Sequence, residues 1–123
     1  MHRSRFAGFI IDCKTGNLDA ATAFWAAALG MQARERDSTG YDRLDPKERD
    51  LTVELQRVTH ESRVHLDIES DDIDAEVARL EQLGASRVAK VKTWWVMQAP
   101  SGQRFCVVPG KDLDTKAGVT SWK

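Results

Sequence analysis

The chain predicts an α+β fold made of two βαβββ modules, and three observations carry that expectation. The first is a stretch used twice in outline. Val64 to Gly84, VHLDIESDDIDAEVARLEQLG, reads as a half-buried strand, an acidic cap and an amphipathic helix closed by glycine. Phe9 to Gly30, FIIDCKTGNLDAATAFWAAALG, runs through the same order about 54 residues earlier and ends in the same Leu-Gly, as an internal repeat does. The second observation is that three extended segments follow each helix. The third is size: 123 residues predict one domain, and a module of about 55 residues builds a poor core alone, so the halves must pack and share a surface. The expected organisation is a single domain over 1–123, with module 1 at about 6–58, module 2 at about 64–109 and a tail at 110–123.

Taken in order, residues 1–5 read as a loose leader, and Phe6 to Cys13 as a strand buried on both faces, because Phe9, Ile10 and Ile11 are all apolar. Asn17 is a good helix N-cap, the alanine-rich run to Leu29 favours helix, and Gly30 supplies the left-handed stop. Leu18, Ala21, Phe24, Trp25, Ala28 and Leu29 recur at helical spacing as the expected buried stripe. Met31 to Arg36, Gly40 to Leu44 and Leu51 to Val58 are the next three strands, with the charged, proline-containing Asp45 to Asp50 as a hairpin loop. Thr59 to Arg63 crosses to the second module. There Val64 to Glu69 is a strand, Asp71 or Asp72 caps a helix from about Ile73 to Leu83, and Ile73, Val77, Leu80 and Leu83 form its stripe. Arg87 to Val91, Thr93 to Gln98 and Gln103 to Val108 complete the set, and the polar tail beyond Pro109 reads as a loose end whose Trp122 is able to dock.

Composition removes several classes of function. The 18 basic and 19 acidic residues nearly cancel, so the chain has no general electrostatic pull toward nucleic acid or membrane. No apolar run nears the ~20 residues that span a bilayer, and Asp12 breaks the N-terminal run in a way that does not suit a signal peptide. The expected address is the cytoplasm, where Cys13 and Cys106 would be free thiols. No glycine-rich phosphate loop, Ser/His/Asp set or CxxC pair is present.

Three segments, LDAATAFWAAALGM, RVHLDIESDDIDAEVARLEQLGA and APSGQRFCVVP, together resemble the vicinal oxygen chelate superfamily and, within it, glyoxalase-like domain proteins. The resemblance covers about Phe6 to Pro109. It implies βαβββ modules whose mixed sheet curls round a central cleft, a homodimer, and a divalent metal held by four residues on the cleft floor. Members include glyoxalases, dioxygenases, epimerases, thiol transferases that inactivate fosfomycin, and metal-free proteins that sequester bleomycin. Carried over by position, His65 and Glu54 match two of the four ligand positions, while Ile10 and Cys106 occupy the other two.

Strand alternation selects which side chains line such a cleft. Val64, Leu66 and Ile68 are expected under the helix, leaving His65 and Asp67 on the open side; likewise Val53 and Leu55 against Glu54 and Gln56, and Phe105 and Val107 against Arg104 and Cys106. Glu54 and His65 are the candidate catalytic residues, and His65, Glu54 and Cys106 the candidate ligands for one divalent ion, zinc, nickel, iron or manganese. Asp12, Gln56, Asp67, Trp94, Trp95 and Arg104 are candidate substrate contacts. Each has a structural alternative. His65 can be a histidine bonded to Asp67 or Gln56, Glu54 can pair with Arg57 or Arg104, and Cys106 can be a small buried hydrophobe. Asp12, if buried, needs a partner such as Lys14, Arg104 or Arg63, and one of Trp94 and Trp95 must face the helix.

The expected function is binding of a small oxygenated organic molecule, with lyase or isomerase chemistry through Glu54 and His65. The alternative is a metal-free protein that binds a drug-like molecule without altering it.

Overall fold

A computed structural model of the chain describes residues 1–36 and 38–123. Its elements in order are β1 (His2–Cys13), α1 (Leu18–Leu29), β2 (Asp42–Leu44), β3 (Thr52–Arg57), β4 (Arg63–Ser70), α2 (Ile73–Gln82), β5 (Ser86–Val91), β6 (Trp94–Gln98), β7 (Arg104–Pro109), a 3₁₀ turn at Leu113–Thr115, and β8 (Thr120–Trp122). The strands form a mixed sheet in the order β2-β3-β1-β4-β7-β6-β5, and β8 pairs with β1. Two helices and eight strands in this order give the expected α+β class of βαβββ modules, with β2 and β3 the regular strands that follow α1. The chain divides into two units, Gly8–His65 and Met1–Ala7 with Leu66–Lys123.

In the Gly8–His65 unit, β1 runs parallel to β3 from Gly8↔Thr52 to Cys13↔Arg57, and β2 runs antiparallel to β3. Gly8 permits the first of these pairings. Its φ is 154°, and a Cβ there would lie 1.9 Å from the carbonyl oxygen of Thr52. The Asn17 side chain caps α1 by accepting from the Ala20 N–H at 3.1 Å, and Gly30 ends the helix in the left-handed region at φ 66°. Leu18, Ala21, Trp25 and Ala26 pack over Ile11, Cys13, Leu44, Val53 and Leu55.

The stripe expected on α1 is partly wrong. Phe24 is 61% exposed, Ala28 and Leu29 are also exposed, and Thr22 is buried instead. The helix is apolar nearly all round, so apolar spacing does not choose its inner face. The choice is made by Asp42, a buried carboxylate that accepts from Thr22 Oγ1 at 2.5 Å and from Arg36 at 2.5 and 2.9 Å. Those Arg36 bonds, aided by Thr22, hold the Asp42 carboxyl below its usual range against the upward push of burial. The strand expected at 31–36 reduces to a single bridge, Ala33↔Leu44, because a segment this rich in charge has little to gain from a buried ladder. The segment expected at 40–44 is a strand only over Asp42–Leu44.

In the other unit, β4 pairs in parallel with β7, and β5, β6 and β7 form an antiparallel meander. Asp72 caps α2 by accepting from the Ala75 N–H at 3.1 Å. Val77 and Leu80 pack on Met97 and Val107, with Ile68, Ile73, Trp95 and Phe105 around them. Of the apolar residues on β4 expected under a helix, Ile68 packs in this cluster, whereas Val64 and Leu66 are 57% and 45% exposed. Leu83 is likewise 66% exposed, one residue past the helix end.

The leader and the tail are both ordered, contrary to the sequence expectation. Residues 2–4 extend β1 and pair with β8, and Leu113 is buried. A wholly buried carboxylate is the reason. Glu76 accepts from Arg79 at 2.8 and 2.8 Å and lies 2.8 Å from His2 Nε2. The Arg79 guanidinium lies 3.8 Å over the Trp122 ring, whose N–H donates to Ser4 Oγ at 2.9 Å. Burial pushes the Glu76 carboxyl up, but hydrogen bonds from Arg79, His2 and Ser4 outweigh it and hold it at about 2.

Two predictions follow from these constraints. Gly8→Ala must break the β1–β3 approach and should cost about 3 kcal/mol or more in urea unfolding. Glu76 has a folded pKa depressed below its unfolded value of about 4.5, so its contribution is complete above that pH and is lost as pH falls toward about 2. The wild type should therefore lose about 3 kcal/mol over that interval. Glu76→Gln should flatten this acid limb in pH-dependent urea titrations.

Candidate functional site

The sheet of the Gly8–His65 unit has two unlike faces. Ile11, Cys13, Val53 and Leu55 point into the cluster beneath α1, so alternation turns Ile10, Asp12, Glu54 and Gln56 to the opposite face. The register sets Asp12 beside Gln56 and Ile10 beside Glu54. His65, on β4, reaches the same group, because its Nδ1 lies 2.7 Å from Asp12 Oδ2.

Asp12 is the centre of this arrangement. It is 2% exposed, accepts from Gln56 Nε2 at 2.7 Å on Oδ1 and from His65 on Oδ2, and has the Arg63 guanidinium at 3.8 Å. A carboxylate only accepts, so the His65 proton facing it sits on Nδ1. His65 thus has Asp12 as a partner, a pairing that sequence inspection did not name. Of the partners expected for Asp12, Arg63 is present; Lys14 pairs with Glu61 at 2.9 Å. Burial and the charge of Asp12 also push up the pKa of the Cys13 thiol on the neighbouring position, keeping it protonated.

Glu54 lies on the face of Asp12 and Gln56, its side chain 15% exposed, with Arg43 Nε at 3.8 Å. The expected partners Arg57 and Arg104 give way to Arg43, which sequence inspection missed. The signal was present on β2, where Asp42 and Leu44 point inward and leave Arg43 facing Glu54 in register.

In the other unit the register places Asp67 beside Cys106, Val96 beside Cys106 and Gln98 beside Arg104, on the face away from α2. Trp94 shares that face by alternation, whereas Trp95 pairs with Val107 and packs in the α2 cluster, where Arg87 stacks over its ring at 5.0 Å. Trp95 therefore does not share a face with Asp67, Trp94, Arg104 and Cys106. His65 and Asp67 are alternate residues on β4, and their donor atoms and Cys106 Sγ lie within 4.8 Å of one another. Among the described residues this group is able to hold a metal, and it includes His65 and Cys106 of the expected set of His65, Glu54 and Cys106. The four-position arrangement of the superfamily does not fit, because Ile10 offers no donor. A nitrogen, a carboxylate and a thiol do fit a three-donor site for a borderline ion such as zinc.

Residues 8–108 match the family described as Glyoxalase-like domain. The chain belongs to that family. Among solved structures, this glyoxalase-like chain is similar to methylmalonyl-CoA epimerase from Mycobacterium tuberculosis, at 17% identity and TM-score 0.55 over 89% of this chain and 91% of that one. It is similar to a glyoxalase/bleomycin resistance protein/dioxygenase superfamily member from Vibrio splendidus, at 16% identity and TM-score 0.51 over 87% and 99%. It also resembles the Mn(II)-bound glyoxalase from Novosphingobium aromaticivorans, at 20% identity and TM-score 0.56 over 91% of this chain and 43% of that one. These likenesses show a shared fold. Comparison with curated proteins finds no match. Among the described residues no helix is long and apolar enough to cross a membrane.

The Asp12 cluster should behave as one unit in unfolding. Gln56→Leu keeps the side chain's bulk but removes a donor to a buried carboxylate, and should cost about 1–3 kcal/mol in urea titrations.

Proposed function

We propose that the chain is a small-molecule enzyme of the lyase or isomerase kind, which moves a proton on carbon next to a substrate oxygen. The observation that carries this is the Asp12–His65 pair at 2.7 Å, with Asp12 buried and further held by Gln56. A carboxylate behind an imidazole fixes its tautomer and raises its basicity, as a general base requires. In the proposed reaction His65 Nε2 takes the proton. Asp12 stabilises the resulting imidazolium without itself becoming protonated. Glu54, on the same face, serves as the second proton carrier, returning a proton to product. Arg43 and Arg63, about half exposed, supply positive charge for the oxygen on which negative charge develops. An epimerase among the proteins of this fold is in keeping with such proton transfer.

When bound, a divalent ion on His65, Asp67 and Cys106 would polarise the substrate oxygen. His65 Nε2 cannot then also take the proton, and Glu54 is the base. A protein that binds without chemistry is the second reading. Ile10, an apolar residue at a ligand position of the superfamily, is what favours it.

The test is exchange of substrate C–H for deuterium in D₂O, followed by NMR over a panel of 2-hydroxy and 2-oxo acids and their thioesters. Enzyme should catalyse exchange on at least one class, and His65→Gln should lower the rate by about 10²–10⁴-fold. Asp12→Asn should lower it as well, because the imidazole loses the carboxylate that fixes its tautomer. Full activity after dialysis against EDTA identifies His65 as the base, whereas loss of activity restored by zinc or manganese identifies the ion-assisted form. Saturable binding of a panel member without exchange supports the binding protein instead.

A further inference from the structure

The geometry points to a second binding site, on the α1 face of the Gly8–His65 unit, for a medium-chain carboxylate. A hollow of about 410 Å³ opens there, within the size range of small-molecule sites. Phe9, Ile11, Trp25, Met31, Val53 and Val64 line it, together with the charged side chain of Arg49. It is separate from the Asp12 cluster. Val64 and His65 are successive residues of β4, and Ile11 and Asp12 of β1, so the hollow and the cluster lie on opposite faces of the same strands.

The chemistry of the wall sets the class of ligand. Phe9, Leu29 and Val64 remain 37%, 45% and 57% exposed, which is apolar surface that a ligand's chain would take out of water. The only cation lining the hollow is Arg49, and among the described residues its guanidinium has no ion-pair partner. A guanidinium takes a carboxylate through two parallel bonds. One anionic head with one unbranched apolar chain therefore matches the site, whereas a polar metabolite would leave its groups unpaired against the wall.

Calorimetric titration of the whole protein with decanoate tests this. One decanoate should bind per chain below its critical micelle concentration, and decan-1-ol should bind about tenfold more weakly. Arg49→Gln should bring decanoate down to the level of the alcohol, and Val64→Asp should abolish binding of both while far-UV circular dichroism and Tm show the variant folded. His65→Gln should leave decanoate binding unchanged, which separates this site from the proposed catalytic face. The proposal is overturned by absence of saturable binding, by loss of binding in His65→Gln with retention in Val64→Asp, or by a wild-type dimer in sedimentation that Val64→Asp dissociates.

Discussion

The buried carboxylate of Asp12 is the constraint on which the candidate site depends. A charge removed from water costs several kcal/mol unless it is paired and bonded on its remaining lone pairs. Asp12 meets that cost with an amide from β3, an imidazole from β4 and a guanidinium nearby. The same bonds that stabilise the ion hold Gln56 and His65 in place. Positioning of the imidazole is thus a by-product of stability, and no residue has to be held by strain. The imidazole stays at a fixed point because letting it go would strand a charge.

The strands that carry the Asp12 cluster present it on one face only. Gly8 lets β1 approach β3 closely enough to pair in parallel, and that register decides that Asp12 stands beside Gln56. On the reverse face, the neighbours Ile11 and Val53 serve the core under α1 and the apolar hollow beside it. A slip of one residue along either strand would exchange the two faces, placing carboxylates under the helix. Register is therefore protected twice, by the core and by the Asp12 bonds.

Glu76 repeats the logic at another place. It is buried with Arg79 and His2, and through Arg79 and Ser4 it reaches Trp122, so both chain ends are tied to α2 by one ionised group. Composition had marked those ends as loose because they are polar and aperiodic. Polar residues order a terminus when they complete the bonding of a buried charge, and the periodicity of apolar residues carries no trace of that.

The amino-acid sequence alone determined the module plan, both helix caps at Asn17 and Asp72, the stop at Gly30, and the parity that puts His65, Glu54 and Gln56 on one face. These depend on local chemistry: a side-chain oxygen within reach of its own helix N–H groups, a residue that tolerates positive φ, and the two-residue period of a strand. The sequence did not determine that Asp12 is the partner of His65, that Arg43 faces Glu54, that Asp67 joins His65 and Cys106, or that Thr22 and Glu76 lie inside. Each of these is a pairing between residues distant along the chain, and distant polar groups leave no periodic signature. Only the tertiary structure decides them, because it brings each buried charge to the partners that offset its loss of water.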